Sequence, residues 1–202
     1  MKKNKEKILI GITGGIGSGK SEVCTQLANK GFKVFFADLM AKELYAKDKK
    51  LTSQLVKRFG KEILNFKGKI NLSKFKEIIF ANKKNYLDAN KIIHPAVIRY
   101  LDTEVKKCKE KIIFIESAIV YESNFDKYLD YVVLVYSNKE NRIRRIMNRD
   151  GAKRKDVLQI MKYQLPENEK AKRADFIINN NKSIDGLNRE IDAFSEILKF
   201  LK

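Results

Sequence analysis

Residues 14–21 constrain this chain more than any other stretch. They read Gly14-Gly15-Ile16-Gly17-Ser18-Gly19-Lys20-Ser21 and fit G-x-x-x-x-G-K-[ST] at every fixed position. An apolar run over 7–13 precedes them and reads as a buried strand. Residues 18–30 read as a helix that Gly31 ends. Strand, glycine turn and helix form the context in which this pattern binds phosphate. The glycines let the backbone turn tightly with N–H groups pointing inward, a nest for phosphate oxygens. The positive end of the helix dipole points at the same place. Lys20 adds a mobile charge for the β- and γ-phosphates. Ser21 offers a hydroxyl to Mg²⁺, an ion that prefers oxygen ligands and keeps several waters. The loop and the adjoining Glu22 thus form the expected ATP-binding set.

The rest of the chain alternates. Residues 33–37, 111–116, 131–136 and 175–178 read as short apolar strands, with helices at 38–47, 139–149, onward to about 165, and 183–202. From 51 to 109 no strand is convincing, and Pro95 bends or restarts the last of several helical stretches there. Apolar strands alternating with helices imply an α/β fold, a parallel sheet covered on both faces. The helical stretch between the second and third strands reads as an insertion that cradles a substrate. Asn138-Lys139 begins a guanine-binding signature that nothing completes, and the chain is too short for a large ATPase module. The layout suits a kinase that closes a lid over its substrate.

Charge and cysteines set the remaining bounds. The formal charge is +18, but only nine of the 43 basic residues are arginine, and the lysines are spread along the chain. This suits a solvated surface better than a nucleic-acid arm. Residues 1–7 are basic, but the apolar run that follows is too short for a secretory leader, and none approaches a membrane span. Cys24 and Cys108 match no metal spacing and read as reduced thiols. A cytoplasmic location follows.

Several side chains have two readings. Asp38 follows the second strand, where a carboxylate can orient an acceptor hydroxyl and take its proton; it can equally cap the following helix. Glu116 ends an apolar strand and either holds a Mg²⁺-bound water or faces solvent. Arg142, Arg144, Arg145 and Arg149 crowd one helix, with Arg145 and Arg149 four apart on one face. They either neutralise charge on a transferring phosphoryl group or form a solvated basic face. His94, the only histidine, suits packing or a substrate wall better than base catalysis.

The chain also resembles dephospho-coenzyme A kinases over nearly its whole length. The resemblance runs from Gly11-Ile12-Thr13 and the loop through Ala37-Asp38, Phe59-Gly60, Phe80-Ala81-Asn82 and His94-Pro95. It continues through Glu122, Arg145 to Asp150, Gln164 and Ala174-Asp175-Phe176-Ile177-Ile178-Asn179. It implies phosphorylation of the ribose 3′-hydroxyl of dephospho-coenzyme A by ATP, the last step of coenzyme A synthesis. Asp38 matches the family's catalytic aspartate, which joins Lys20 and Arg145. Arg145 and Arg149 match its nucleotide-contacting arginines, and Asp38, Lys42 and His94 fall to the acceptor. The implied parts are a P-loop core (1–37, 110–144, 173–202), a helical dephospho-coenzyme A-binding domain (38–109) and a lid (145–172), in a monomer or weak homo-oligomer with no specific nucleic acid. Four departures stand out: Phe36 replaces an acid before Ala37-Asp38, Glu22 replaces a threonine, Ala118-Ile119-Val120 replaces Pro-Leu-Leu, and Leu72 replaces an arginine that Lys69 or Lys74 would compensate. The rivals are a kinase of nucleosides, nucleotides or shikimate-like acceptors and, from another class, an ATP-switched nucleic-acid-binding protein.

Overall fold

The structure is a computed structural model that describes residues 7–201. Residues 1–6 of the basic N-terminal stretch and the last residue of the expected closing helix lie outside them. The chain forms two compact units: the chain up to Phe35 with the chain from Lys109 onward, and Phe36–Cys108.

The first unit is built on a five-stranded sheet. Its strands are β1 (Ile8–Thr13), β2 (Lys33–Phe36), β3 (Ile112–Glu116), β4 (Tyr131–Tyr136) and β5 (Phe176–Asn179), in the order β2-β3-β1-β4-β5. The pairs β1 with β3, β1 with β4 and β4 with β5 are parallel, with Ile12 opposite both Glu116 and Val133. Ile10, Ile12, Ile113, Phe114, Ile115 and Val133 to Val135 are fully buried, as continuous apolar strands covered on both faces must be. Helix α1 (Lys20–Asn29) seats Val23, Cys24 and Leu27 in this core. The strand order reverses around β1, so the crevice at its carboxyl end is the switch point where open parallel sheets bind ligands. The glycine loop leaves the sheet there.

The second unit is helical: α2 (Ala37–Lys47), α3 (Lys49–Phe59), α4 (Leu72–Phe80) and α5 (Lys83–Lys107). A 3-10 turn at Lys61–Ile63 and a single antiparallel bridge from Leu64 to Ile70 join α3 to α4. Asp48, Asn71 and Asn82 cap α3, α4 and α5 by accepting backbone N–H bonds. Phe75 sits at the centre, edge-on to Tyr45 and Phe59 at 5.9 and 5.7 Å. The restart expected at Pro95 is not there. Helix α5 runs unbroken through it, held from both sides by buried Ile93, Ala96 and Val97.

The first unit continues with α6 (Lys139–Asp150), α7 (Arg154–Met161), α8 (Glu167–Ala171) and α9 (Ile184–Leu198). Gly151 ends α6 in the left-handed region at φ 64°. The helix expected to reach 165 stops at Met161, and α8 is an extra short helix. Helix α9 covers the sheet with Leu187, Ile191, Phe194 and Leu198, and Phe194 packs edge-on against Phe114 and Phe176 at 6.3 and 5.5 Å.

Candidate active site

The glycine loop joins β1 to α1, and its shape depends on its glycines. Gly17 and Gly19 have φ of 79° and 97°, which side-chain-bearing residues rarely adopt. A Cβ on Gly17 would lie 2.5 Å from the carbonyl oxygen of Arg142, and one on Gly19 would collide with Asn180 Nδ2. The helix expected from Ser18 starts at Lys20, because Ser18 and Gly19 belong to the loop.

Lys20, only 8% exposed, folds back over the loop. Its Nζ donates to the carbonyl oxygen of Gly14 at 2.9 Å and lies 3.8 Å from Glu116 Oε1. Glu116 is 7% exposed, so the solvent-facing reading of this residue fails. Beneath them, burial pushes the Cys24 thiol up, Glu116 adding to the effect and Lys20 opposing it. Cys24 is thus an inert packed thiol, and both cysteines are free.

The arginine helix divides. Arg142 and Arg145 turn toward the loop, while Arg144 and Arg149 are exposed. Arg145 donates to the carbonyl oxygens of Gly17 and Ser18, each at 3.4 Å, to Ser137 Oγ at 3.2 Å and to Asn180 O at 2.9 Å. Its pKa is lowered by burial and by the neighbouring Arg144. Asn180 donates to Ser18 O at 2.8 Å, so Arg145 and Asn180 together clamp the loop's carbonyl side. Arg149 instead pairs with Asp150 at 2.7 Å in solvent, and that hydrogen bond raises its pKa. The arrangement does not bring Arg145 and Arg149 onto a common partner.

The loop's other side is held from a distant segment. Gly15 N–H donates to Glu167 Oε1 and Ile16 N–H to Gln164 Oε1, both at 2.9 Å. Arg142 Nη1 lies 3.5 Å from the same Glu167 oxygen, with both side chains about nine-tenths buried. The sequence reading had no means of finding Glu167 or Asn180: each reaches the loop across about 150 residues with no pattern to announce it.

The loop suits ATP with Mg²⁺. Ser18 Oγ is buried without a hydrogen-bond partner among the described residues. Ser21, in the first turn of α1, presents its hydroxyl to solvent. No cluster of three His, Cys, Asp or Glu side chains among the described residues suits a metal. A Mg²⁺ ion here would take its protein oxygen from Ser21 and would help neutralise phosphate charge.

In the helical unit, Asp38 and Lys42 are exposed and one turn apart on α2. The capping reading of Asp38 fails: Phe36 occupies the cap position, and Asp38 lies within the first turn. Burial, and after it the Asp38 carboxylate, raise the Tyr45 hydroxyl pKa, so Tyr45 lies in the field of Asp38. His94 lies within α5, its Nε2 shielded and without a partner among the described residues, and burial lowers its pKa to about 4.

A family model for dephospho-CoA kinase matches residues 8–186. The chain belongs to the dephospho-CoA kinase family. A dephospho-CoA kinase of Fusobacterium nucleatum is 39% identical over 191 residues, 95% of this chain and 98% of the relative. Dephospho-CoA kinase from Campylobacter jejuni superposes with a TM-score of 0.67 at 28% identity, over 95% of this chain and 97% of that one. TT1252 from Thermus thermophilus superposes at 0.80 with 30% identity, over 98% and 99%. As a dephospho-CoA kinase the chain is an ATP-dependent kinase with an α/β P-loop fold. Its Leu72 stands exposed at the first position of α4, with Lys69 and Lys74 exposed on either side.

Proposed function

We propose that this chain transfers the γ-phosphoryl group of ATP to the ribose 3′-hydroxyl of dephospho-coenzyme A, giving coenzyme A and ADP. The observation that carries the reading is the glycine loop, complete in sequence and held in shape by Lys20, Arg145 and Asn180, in a chain of the dephospho-CoA kinase family.

The residue roles follow from chemistry. Loop amides and the α1 N-terminus receive the β- and γ-phosphates. Lys20, its ammonium at the end of a long stem, leaves the Gly14 carbonyl and follows the γ-phosphoryl group as negative charge shifts toward the leaving ADP. Asp38 takes the proton from the acceptor hydroxyl while the new O–P bond forms and the bond from Pγ to the ADP oxygen breaks. Its exposure and its freedom from capping suit it to that task. Lys42 binds the acceptor, and His94 packs into the wall of its site. Arg145 keeps the loop in register while its open face meets the nucleotide, and Arg149 exchanges Asp150 for phosphate. Ser21 holds Mg²⁺, with Glu116 acting through a bound water. The ion, when bound, neutralises phosphate charge. Glu22 remains beside this metal position.

We assign dephospho-coenzyme A to the helical part at 38–109 and, within the lid at 145–172, movement to the residues before 164. The compactness of Phe36–Cys108 supports the first assignment, and the exposed α7 surface supports the second. We further place the protein in the cytoplasm as a monomer or weak homo-oligomer without a specific nucleic-acid partner. Its two free cysteines favour a reducing compartment. No described helix is long and apolar enough to cross a membrane.

Thermal melting with single ligands tests the reading. ATP with Mg²⁺, and separately dephospho-coenzyme A, each raise the melting temperature, since ligands of the native state alone stabilise it. At 100 times Kd the gain is about 2.7 kcal/mol. A shift with shikimate or a nucleoside and none with dephospho-coenzyme A would assign the chain a different acceptor.

A further inference from the structure

The phosphate loop is braced from outside by groups that no role above requires. The N–H groups of Gly15 and Ile16 do not point into the nest; they donate to Glu167 and Gln164 at 2.9 Å each. Gly15 is buried, and a Cβ there would collide with Arg142 Nη1 and come within 2.7 Å of Glu167 Oε1. The guanidinium and carboxylate are therefore pressed directly against the loop backbone. The backbone of Arg142 meets Gly17 in the same way. One residue of α6 thus touches the loop at two points.

The supporting segment is itself fixed. Leu165 N–H donates to Glu122 Oε1 at 2.8 Å, and Glu122 pairs with Lys170 at 3.0 Å. Lys170 is fully buried and donates to Ala118 O at 3.0 Å. Glu122 and Lys170 thus tie residues 165–170 to the turn that follows β3. Gln164 and Glu167 reach the glycine loop from either end of a tethered segment. A loop that must present converging N–H groups to an anion gains from such a brace, because its remaining amides are then pre-aimed.

We propose that Glu167, with Gln164 beside it and Arg142 behind it, is a positioning residue that holds the glycine loop in the conformation that accepts ATP. The proposal rests on the kinase reading and adds to it a brace at 164–167 that remains in place while the residues before it move. The bond that matters is the one Gly15 N–H donates to a carbonyl-type oxygen. The charge on Glu167 serves mainly to orient Arg142.

Isothermal titration of MgATP into wild type, Glu167→Ala and Glu167→Gln tests this, alongside steady-state kinetics and thermal melts. Glu167→Ala should raise the Kd for ATP by about tenfold, the weight of one strong hydrogen bond. It should leave KM for dephospho-coenzyme A within about twofold. Glu167→Gln keeps an acceptor oxygen and should recover ATP affinity to within about threefold of wild type. A brace that only stabilised the fold would lower the melting temperature and weaken both substrates alike, which overturns the proposal. Unchanged ATP affinity in Glu167→Ala overturns it too, as does a Gln variant as weak as Ala. Failure of the wild type to bind ATP would instead remove the kinase reading itself.

Discussion

Asp38, the base proposed above, carries the sharpest prediction at the scale of single residues. It is exposed in the first turn of α2 and leaves the cap position to Phe36. Its replacement by Asn therefore removes the proposed base without removing a cap. Asp38→Asn should fold with a melting temperature close to wild type and bind ATP normally. Its kcat with dephospho-coenzyme A should fall by about a hundredfold or more, the usual weight of general-base assistance. Turnover near the wild-type rate would end the assignment. At this scale the sequence put forward the candidates whose case rests on local spacing: Lys20 and Ser21 in the glycine loop, and Asp38 directly after a strand. It could not distinguish Arg145, which grips loop carbonyls, from Arg149, which pairs with Asp150 in solvent. Both sit on one helix at equivalent spacing, and only the partner's position separates them. Glu167 was invisible for the same reason, being brought to Gly15 by tertiary folding alone.

Secondary-structure elements were legible where their apolar periods were long. All five strands and helices α1, α2, α6 and α9 lie within a few residues of their expected limits. The misses have physical causes. Helix α8 has five residues, too few to show a helical period. Pro95 lacks an amide donor but not the packing of Ile93, Ala96 and Val97, and packing carried α5 through it. The neighbouring His94 gives this element a pH signature. Its pKa is lowered by burial from 6.5 to about 4. Between those values the unfolded chain binds a proton that the folded helix refuses. The unfolded state then holds more protons, so stability rises with pH through this window and the effect is flat above it. Melts from pH 4.5 to 7 should show the wild type losing more on acidification than His94→Gln. Parallel loss in both proteins would mean that His94 stays accessible to protons.

For the whole molecule, the charge of +18 does not by itself name a partner. Some of the lysines sit in surface pairs along helices, such as Lys47 with Glu43, Lys106 with Asp102 and Lys199 with Glu196, and such pairs contribute little stability. What identifies the molecule is the order of its parts. A glycine loop at the switch point of a parallel sheet, a helical unit between β2 and β3, and an arginine helix after β4 all lie within residues 8–186, the span that matches the dephospho-CoA kinase family. The central claim is that this assembly moves one phosphoryl group to one particular hydroxyl. The direct measurement is product identity: purified protein with ATP, Mg²⁺ and dephospho-coenzyme A, analysed by mass spectrometry and phosphorus NMR, with shikimate and nucleosides as parallel acceptors. The account predicts one ADP for each coenzyme A formed, with the new phosphate on the ribose 3′ oxygen and the other acceptors left unmodified. Phosphate transferred to shikimate or a nucleoside while dephospho-coenzyme A stays unchanged would contradict it.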